Sequence, residues 1–326
     1  MKKKPLIIFI VLIVIIIAAY AVIFTQTAKA EDLMKGIKPD NITPSLPDES
    51  YIDSVNAFSS ELFIKSFDNK GNILISPPSV YLALAMTANG AQGDTKEEML
   101  TVLLGSNPLM LSGDTDPSLP GYVAPLDYNN KESKNLISRL VTESEKTTVS
   151  VSNSVWYDEN FSPYKPFLQT NATYYGAGAQ KLDFADKKTP DIINKWVSER
   201  TNGKINEIIT EIKDDVVMYL INTVYFKSDW ASPFKEGDTQ QMTFYTPVGG
   251  VKVDFMNKTG SVDYISTKDA KGVILPYENE KFAYFAIMPD EGTSPREWAK
   301  KQGSELFSNI AAMIKQRSAA SIDLYM

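Results

Sequence analysis

Apolar and polar positions follow three different rhythms along this chain. Leu6 to Phe24 is an unbroken apolar run without a charge. From about Ser50, Ile52, Val55, Phe58 and Leu62 recur at helical spacing until Asn69-Lys70-Gly71 stops them. From Asp215 onward the pattern tightens to strand-like alternation and short apolar runs.

Between these markers the elements read off in order. "NILI" predicts a short strand, and "SPPSVYLALAMTANGA" a helix with Ser76 as N-cap and Pro77 at its first position. Thr95 and Glu98 form a capping-box pattern that opens another helix ending at Gly105. Ser106–Asn130, rich in Pro, Gly, Asp and Asn, reads as a surface loop, followed by a helix near Lys131–Lys146. "TTVSVSNSVWY" alternates as a strand, and helical patterns recur near Pro163–Tyr174 and Pro190–Thr201. "MYLINTVYFKSDWASPF" reads as a strand buried on both faces. "MTFYTPVGGVKVDFM" has hairpin character, and "GVILPY" and "FAYFAIMP" bracket a turn at "ENEK". A helix over Pro295–Arg317 and a strand in "ASIDLYM" complete the order. Helices first and strands later, without regular βαβ alternation, predict an α+β fold.

The leader calls for export. Lys2, Lys3 and Lys4 precede the apolar run, and Ala28-Lys29-Ala30 follows at signal-peptidase spacing. The run is longer than a usual signal core and close to the ~20 residues that span a bilayer. Residues 1–30 are therefore expected to be a cleaved signal peptide or a retained anchor, with the rest outside. Membrane contact is expected only through residues 6–24. Glu31–Glu49, with Pro39, Pro44 and Pro47, reads as a linker, and residues 50–326 as one domain.

Composition removes most chemistry. The 326 residues carry net charge −7, so no electrostatic footprint for nucleic acid exists. Neither cysteine nor histidine occurs, which excludes disulfides, Ser-His-Asp and Cys-His catalysis and the usual zinc sites. Neither cofactor nor metal is expected. No Walker loop or Asp-Thr-Gly triplet is present, and "GAGAQK" at Gly176 lacks dinucleotide spacing. A hydrolase working through paired carboxylates or a Ser-Lys pair survives as an alternative. Asn41, Asn160, Asn171 and Asn257 open Asn-x-Ser/Thr triplets, which matter only in a eukaryotic secretory route.

Six segments fit one family jointly. "NILISPPSVYLALAMTANGAQGDTKEEML", "NSVW", "LDF", "INKWVSERTNGKI", "YLINTVYFKSDWASPF" and "VILPYENEKFAYFAIMPDEG" resemble the serpins, in that order and at family-like spacing. The resemblance runs from about Tyr51 to the last residue. Ser228 and Thr223 stand where the family usually has glycine and alanine.

The resemblance implies helices on a large, mostly antiparallel central sheet that opens beside the strand carrying Asn222. Ser76, Ser79 and Asn222 match the family's shutter residues, and Trp230 its breach tryptophan. A buried amide without partners costs about 1–3 kcal/mol, so Asn222 needs a reason, and the shutter supplies one. Hydroxyls and an amide exchange hydrogen-bond partners as strands part, which methyl groups do not. Read without the family, Ser76 is equally a helix cap, Asn222 a satisfied core amide and Trp230 plain packing.

The implied function is inhibition of serine or cysteine endopeptidases, by cleavage of a reactive loop, covalent trapping and insertion of that loop. A non-inhibitory serpin acting as a binding protein is the alternative. "SIDLYM" resembles a segment well before the reactive loop, so the last quarter of a serpin, with its reactive bond, is expected to be missing and the chain as written inactive. "DEGT" at Asp290–Thr293 has the letters of a hinge but precedes Pro295 and a helix, and is set aside.

Overall fold

β3 (Thr147–Asp158) organises the first sheet of the computed structural model, which describes residues 30–67, 71–105, 123–246 and 248–326. It pairs in parallel with β4 (Gly178–Leu182), from Ser154↔Gly178 to Asp158↔Leu182. β2 (Thr142–Glu143) pairs antiparallel with β3, β5 (Met218–Ser228) also pairs with it, and β1 (Glu31–Asp32) joins the far side of β4. The chain divides into two units, residues up to Asp40 with Ser152–Ile221, and Asn41–Val151 with Asn222–Met326.

In the first unit the period-2 alternation of β3 sorts side chains to two faces. Val155 and Tyr157 pack with Leu168 and Ala179 under α5 (Lys165–Tyr175). Trp156 points the other way, to Leu182, Phe184, Ile193 and Val197 under α6 (Thr189–Arg200). β5 follows the same parity, with Met218 and Leu220 joining the α5 cluster and Tyr219 and Ile221 the α6 cluster. Asn194 holds the chain after α6 in place: its Nδ2 donates to the Ile209 carbonyl at 2.7 Å and its Oδ1 accepts from the Ile208 and Ile209 amides.

The second unit contains α1 (Glu49–Ser66), α2 (Pro77–Ala88), α3 (Gly93–Leu104) and α4 (Pro125–Leu140). Their contact is unusually polar. Tyr51 and Tyr81, both fully buried, meet edge to face at 5.7 Å. The Tyr51 hydroxyl lies 3.0 Å from Ser133 Oγ, and the Tyr81 hydroxyl donates to Asn129 Oδ1 at 2.9 Å. Asn89 and Asn130 exchange reciprocal amide bonds at 2.9 and 2.8 Å.

A four-stranded antiparallel sheet in the same unit runs in the order β10 (Ala283–Pro289), β9 (Ala270–Pro276), β8 (Asn257–Ser266), β11 (Ser318–Tyr325). α7 (Pro295–Gln302) and α8 (Leu306–Lys315) cover it through Ala270, Trp298, Leu306 and Ile310. β6 (Gln240–Thr246) and β7 (Gly249–Phe255) form a separate hairpin.

Several expectations change. The 31–49 segment is not a free linker: Glu31 and Asp32 pair with β4, the Ser45 amide donates to Asn135 Oδ1, and the Asp48 amide to Glu132 Oε2. "NILI" makes no strand, because no described strand lies alongside it. α4 begins at Pro125 inside the expected loop, since its buried face is built from Tyr128, Asn129, Asn130, Glu132 and Ser133, which carry no apolar period. α3 begins at Gly93, leaving Thr95 inside the first turn without a capping role. The single C-terminal helix is two, broken at Gly303, whose φ of 61° is a left-handed conformation that glycine adopts without a Cβ clash. The expected leader, residues 1–30, lies outside the described residues except for Ala30. No described helix is long and apolar enough to cross a membrane.

Candidate functional site

The start of α2 is set by Pro77, whose fixed φ suits the first helical turn and whose missing N–H costs nothing there. Ser76 occupies the N-cap position, yet its hydroxyl caps no backbone amide. The Ser79 amide bonds the Ser76 carbonyl at 3.0 Å, and the two hydroxyls meet at 2.8 Å. In such a pair one hydroxyl donates, and the other keeps its proton for a further acceptor. Ser76 is exposed and Ser79 half-buried. The structure therefore joins two of the three expected shutter residues directly.

Asn222, the third, lies near the middle of β5. Ile221 and Thr223 beside it are buried, and Asn222 itself is half-buried. By the parity of the strand it faces with Leu220 rather than with Ile221. β5 is not buried on both faces as its composition predicts: Ile221 and Thr223 are its only buried residues. The reason is topological. β5 pairs with β3, and no described strand lies along its other edge.

Trp230 follows the end of β5 and is half-buried. Its ring stacks on Tyr277 at 4.7 Å and 9°, and meets Phe234 and Tyr284 edge-on at 6.2 and 6.0 Å. Trp230 also forms an isolated antiparallel bridge with Tyr277, and the Ala231 amide donates to the Pro276 carbonyl at 3.0 Å. Burial, then the nearby Tyr284, push the Tyr277 phenol above its ordinary range. This aromatic stack fastens the exit of β5 to the turn between β9 and β10.

Sequence reasoning missed the polar hub beside that tryptophan. The Asp229 amide donates to the Lys146 carbonyl at 3.0 Å, and the Glu278 amide donates to the Asp229 carbonyl at 2.9 Å. Ser228 Oγ lies 2.6 Å from Thr147 Oγ1. The signal in the sequence was a departure: serine at 228, where the resemblance leads one to expect glycine, supplies the hydroxyl that ties the end of β5 to the start of β3. Among the described residues no cluster of acidic side chains is arranged to hold a metal ion. Of the four Asn-x-Ser/Thr triplets, those at Asn41 and Asn160 are exposed and that at Asn171 is buried.

Comparison with known proteins agrees with this geometry. The profile of the serpin (serine protease inhibitor) family matches residues 53–326. A serpin-like protein of Thermococcus kodakarensis, TK1782, is 31% identical over 267 residues, which are 81% of this chain and 58% of that protein. Antithrombin-III of Homo sapiens is 28% identical over 69% of this chain and 47% of its own length. Among solved structures, the native state of the thermophilic serpin tengpin superposes with TM-score 0.77 at 34% identity, covering 91% of this chain and 72% of tengpin. The chain thus spans little more than half the length of the curated relatives it matches, and over that span its helices and sheets are those of the α+β fold expected from sequence. The chain belongs to the serpin family.

Proposed function

We propose that the protein is an inhibitory serpin of serine or cysteine endopeptidases, in which β5 receives the protein's own cleaved reactive loop along the edge away from β3. One observation carries this reading. An eleven-residue strand, paired with β3 among the described residues, keeps an amide at its centre where an apolar residue would pack better. A strand edge is a template for an added strand. Asn222 is the polar partner that an entering strand meets there, and the Ser76–Ser79 hydroxyl pair is the exchangeable latch of the same shutter. Trp230, whose ring is held by aromatic stacking, is the breach at which entry begins. The protein needs no histidine of its own, because the target protease performs the cleavage.

Export belongs to the same proposal. Three lysines followed by an apolar run support a domain outside the cytoplasm, and fractionation of cells expressing the chain tests it. A domain recovered wholly in the cytoplasm would contradict it.

The inhibitory reading is tested on the protein expressed from its complete coding frame. Incubated with a panel of serine and cysteine endopeptidases, it is expected to form a one-to-one adduct that survives denaturing electrophoresis with at least one of them. Survival or digestion without any adduct would overturn inhibition and favour a binding role on the same fold.

A further inference from the structure

Asn-Gly occurs twice in the chain, at Asn89-Gly90 and Asn202-Gly203, and the fold treats the two pairs differently. Asparagine is a labile residue, most of all before glycine, which has no Cβ to shield its own nitrogen. Asn89 closes α2 with its side-chain amide held at both ends. Its Nδ2 donates to the Ala85 carbonyl at 3.1 Å and to Asn130 Oδ1 at 2.9 Å, and its Oδ1 accepts from Asn130 Nδ2 at 2.8 Å. The Gly90 amide is bonded to the Thr87 carbonyl at 2.9 Å.

Asn202 stands where α6 must stop. Thr201 is the C-cap, and Asn202 follows it with φ of 49°, a left-handed conformation that asparagine tolerates. The Gly203 amide then donates back to the Ser198 carbonyl at 2.8 Å, the closing bond of a Schellman cap. The rest of the turn is tied down. The Lys204 amide donates to the Thr201 carbonyl at 3.0 Å, the Ile205 amide to Thr201 Oγ1 at 3.1 Å, and Ser198 Oγ to Asn206 Oδ1 at 2.8 Å. The Asn202 side chain is the exception: it is exposed and has no hydrogen-bond partner among the described residues. Nothing lies within 4 Å of where a Cβ on Gly203 would stand, so the approach to its nitrogen is open.

We propose that Asn202-Gly203 is a site of spontaneous modification, at which the Gly203 nitrogen closes on the Asn202 side chain. The nitrogen gives its proton to solvent and attacks Cγ. Nδ2 takes up a proton and leaves as ammonia, and a cyclic imide remains. Water then opens the ring, at Cγ to give aspartate or at the main-chain carbonyl to give isoaspartate. The attacking nitrogen is the one that caps α6. Its bond to Ser198 therefore protects Asn202 while it holds, and is lost when the imide forms, since an imide nitrogen carries no hydrogen. Aspartate restores the donor but sets a carboxylate at the negative end of the helix dipole. Isoaspartate adds a methylene to the main chain and displaces the donor from Ser198. Opening of the α6 cap thus sets the rate, and modification keeps the cap weakened. This inference does not depend on the inhibitory reading.

The test incubates the full chain at neutral pH and maps it by peptide mass spectrometry, beside a synthetic peptide of residues 198–207. Asn202 is expected to convert at least tenfold faster than Asn89, and at least tenfold more slowly than the same residue in the peptide. Isoaspartate is expected among the products, read by enzymatic methylation of its carboxylate. Either gap falling short of tenfold would overturn the inference. Thr201→Val removes the hydroxyl that closes the turn, and is expected to bring Asn202 towards the peptide rate while Asn89 keeps its own. A folded variant with an unchanged Asn202 rate would also overturn it. Should the variant not fold, hydrogen exchange on the unaltered chain decides. The protection factor of the Gly203 amide is expected to match the ratio of peptide to folded-chain conversion rates within tenfold, and a larger mismatch refutes the gating by the cap.

Discussion

Tyr81 is fully buried, and its hydroxyl is the donor for the Asn129 amide oxygen. Replacing it with phenylalanine keeps the ring contacts with Tyr51 and Phe58 but strands a buried polar group. Tyr81→Phe is expected to cost about 1–3 kcal/mol, read from denaturant midpoints at unchanged slope. Asp158 makes a second residue-scale prediction. Its carboxylate is held below the ordinary range chiefly by the Asn160 backbone amide, against partial desolvation, with further help from the Asn160 side chain and the Phe184 amide. A folded-state pKa below the unfolded value stabilises above about pH 4 and loses that contribution as pH falls through the folded value. Asp158→Asn should therefore be less stable than the parent at pH 7, with the gap closing below about pH 4. A gap that stays constant down to pH 2 would show that the charge is not the cause.

Among the elements, β9 and β10 meet most tightly at Gly272, where a Cβ would overlap the Ala286 carbonyl oxygen and lie 3.3 Å from Ile287 Cα. Both neighbours are backbone, so neither side chain can move aside. Gly272→Ala is expected to separate the two strands, lowering Tm and raising hydrogen exchange across Ala286–Met288, while leaving the β6–β7 hairpin unchanged. Such elements also show what the chain reveals of itself. The β9–β10 pair was legible because two apolar runs flank "ENEK", and β3, α5 and α6 because their periods are long and clean. α4 was displaced because its inward face carries asparagines, a glutamate and a serine, which bury by pairing: Asn130 with Asn89, Asn129 with Tyr81, Ser133 with Tyr51, and Glu132 with the Asp48 amide. β8 was not singled out, since "NKTGSVDYIS" is polar at six of its ten positions and becomes a strand only between β9 and β11. The 31–49 segment misled for a related reason: Pro39, Pro44 and Pro47 signal an irregular path, and an irregular path is not a free one. Of the site, Ser76, Ser79, Asn222 and Trp230 came from the family resemblance. The Ser76–Ser79 contact follows from i, i+3 spacing at a helix start, whereas the Asp229 hub joins residues far apart in the chain, which no local spacing encodes.

For the whole molecule the governing feature is the polar centre of β5. A strand with an amide at its centre, able to pair with an added strand along the edge away from β3, is poised between two arrangements, and side chains that trade partners lower the cost of moving between them. Asn222→Val is expected to leave the fold intact, by circular dichroism, while changing the rate at which the sheet accepts a strand. An unchanged rate with an unchanged Tm would make Asn222 an ordinary strand residue. The most direct test of the central claim is amide hydrogen exchange along β5, with and without a short alanine-rich peptide carrying a Glu-x-Gly-Thr start. The account predicts that amides along the edge of Met218–Ser228 away from β3 become better protected when the peptide is added. A peptide that leaves the protection of β5 unchanged would contradict it.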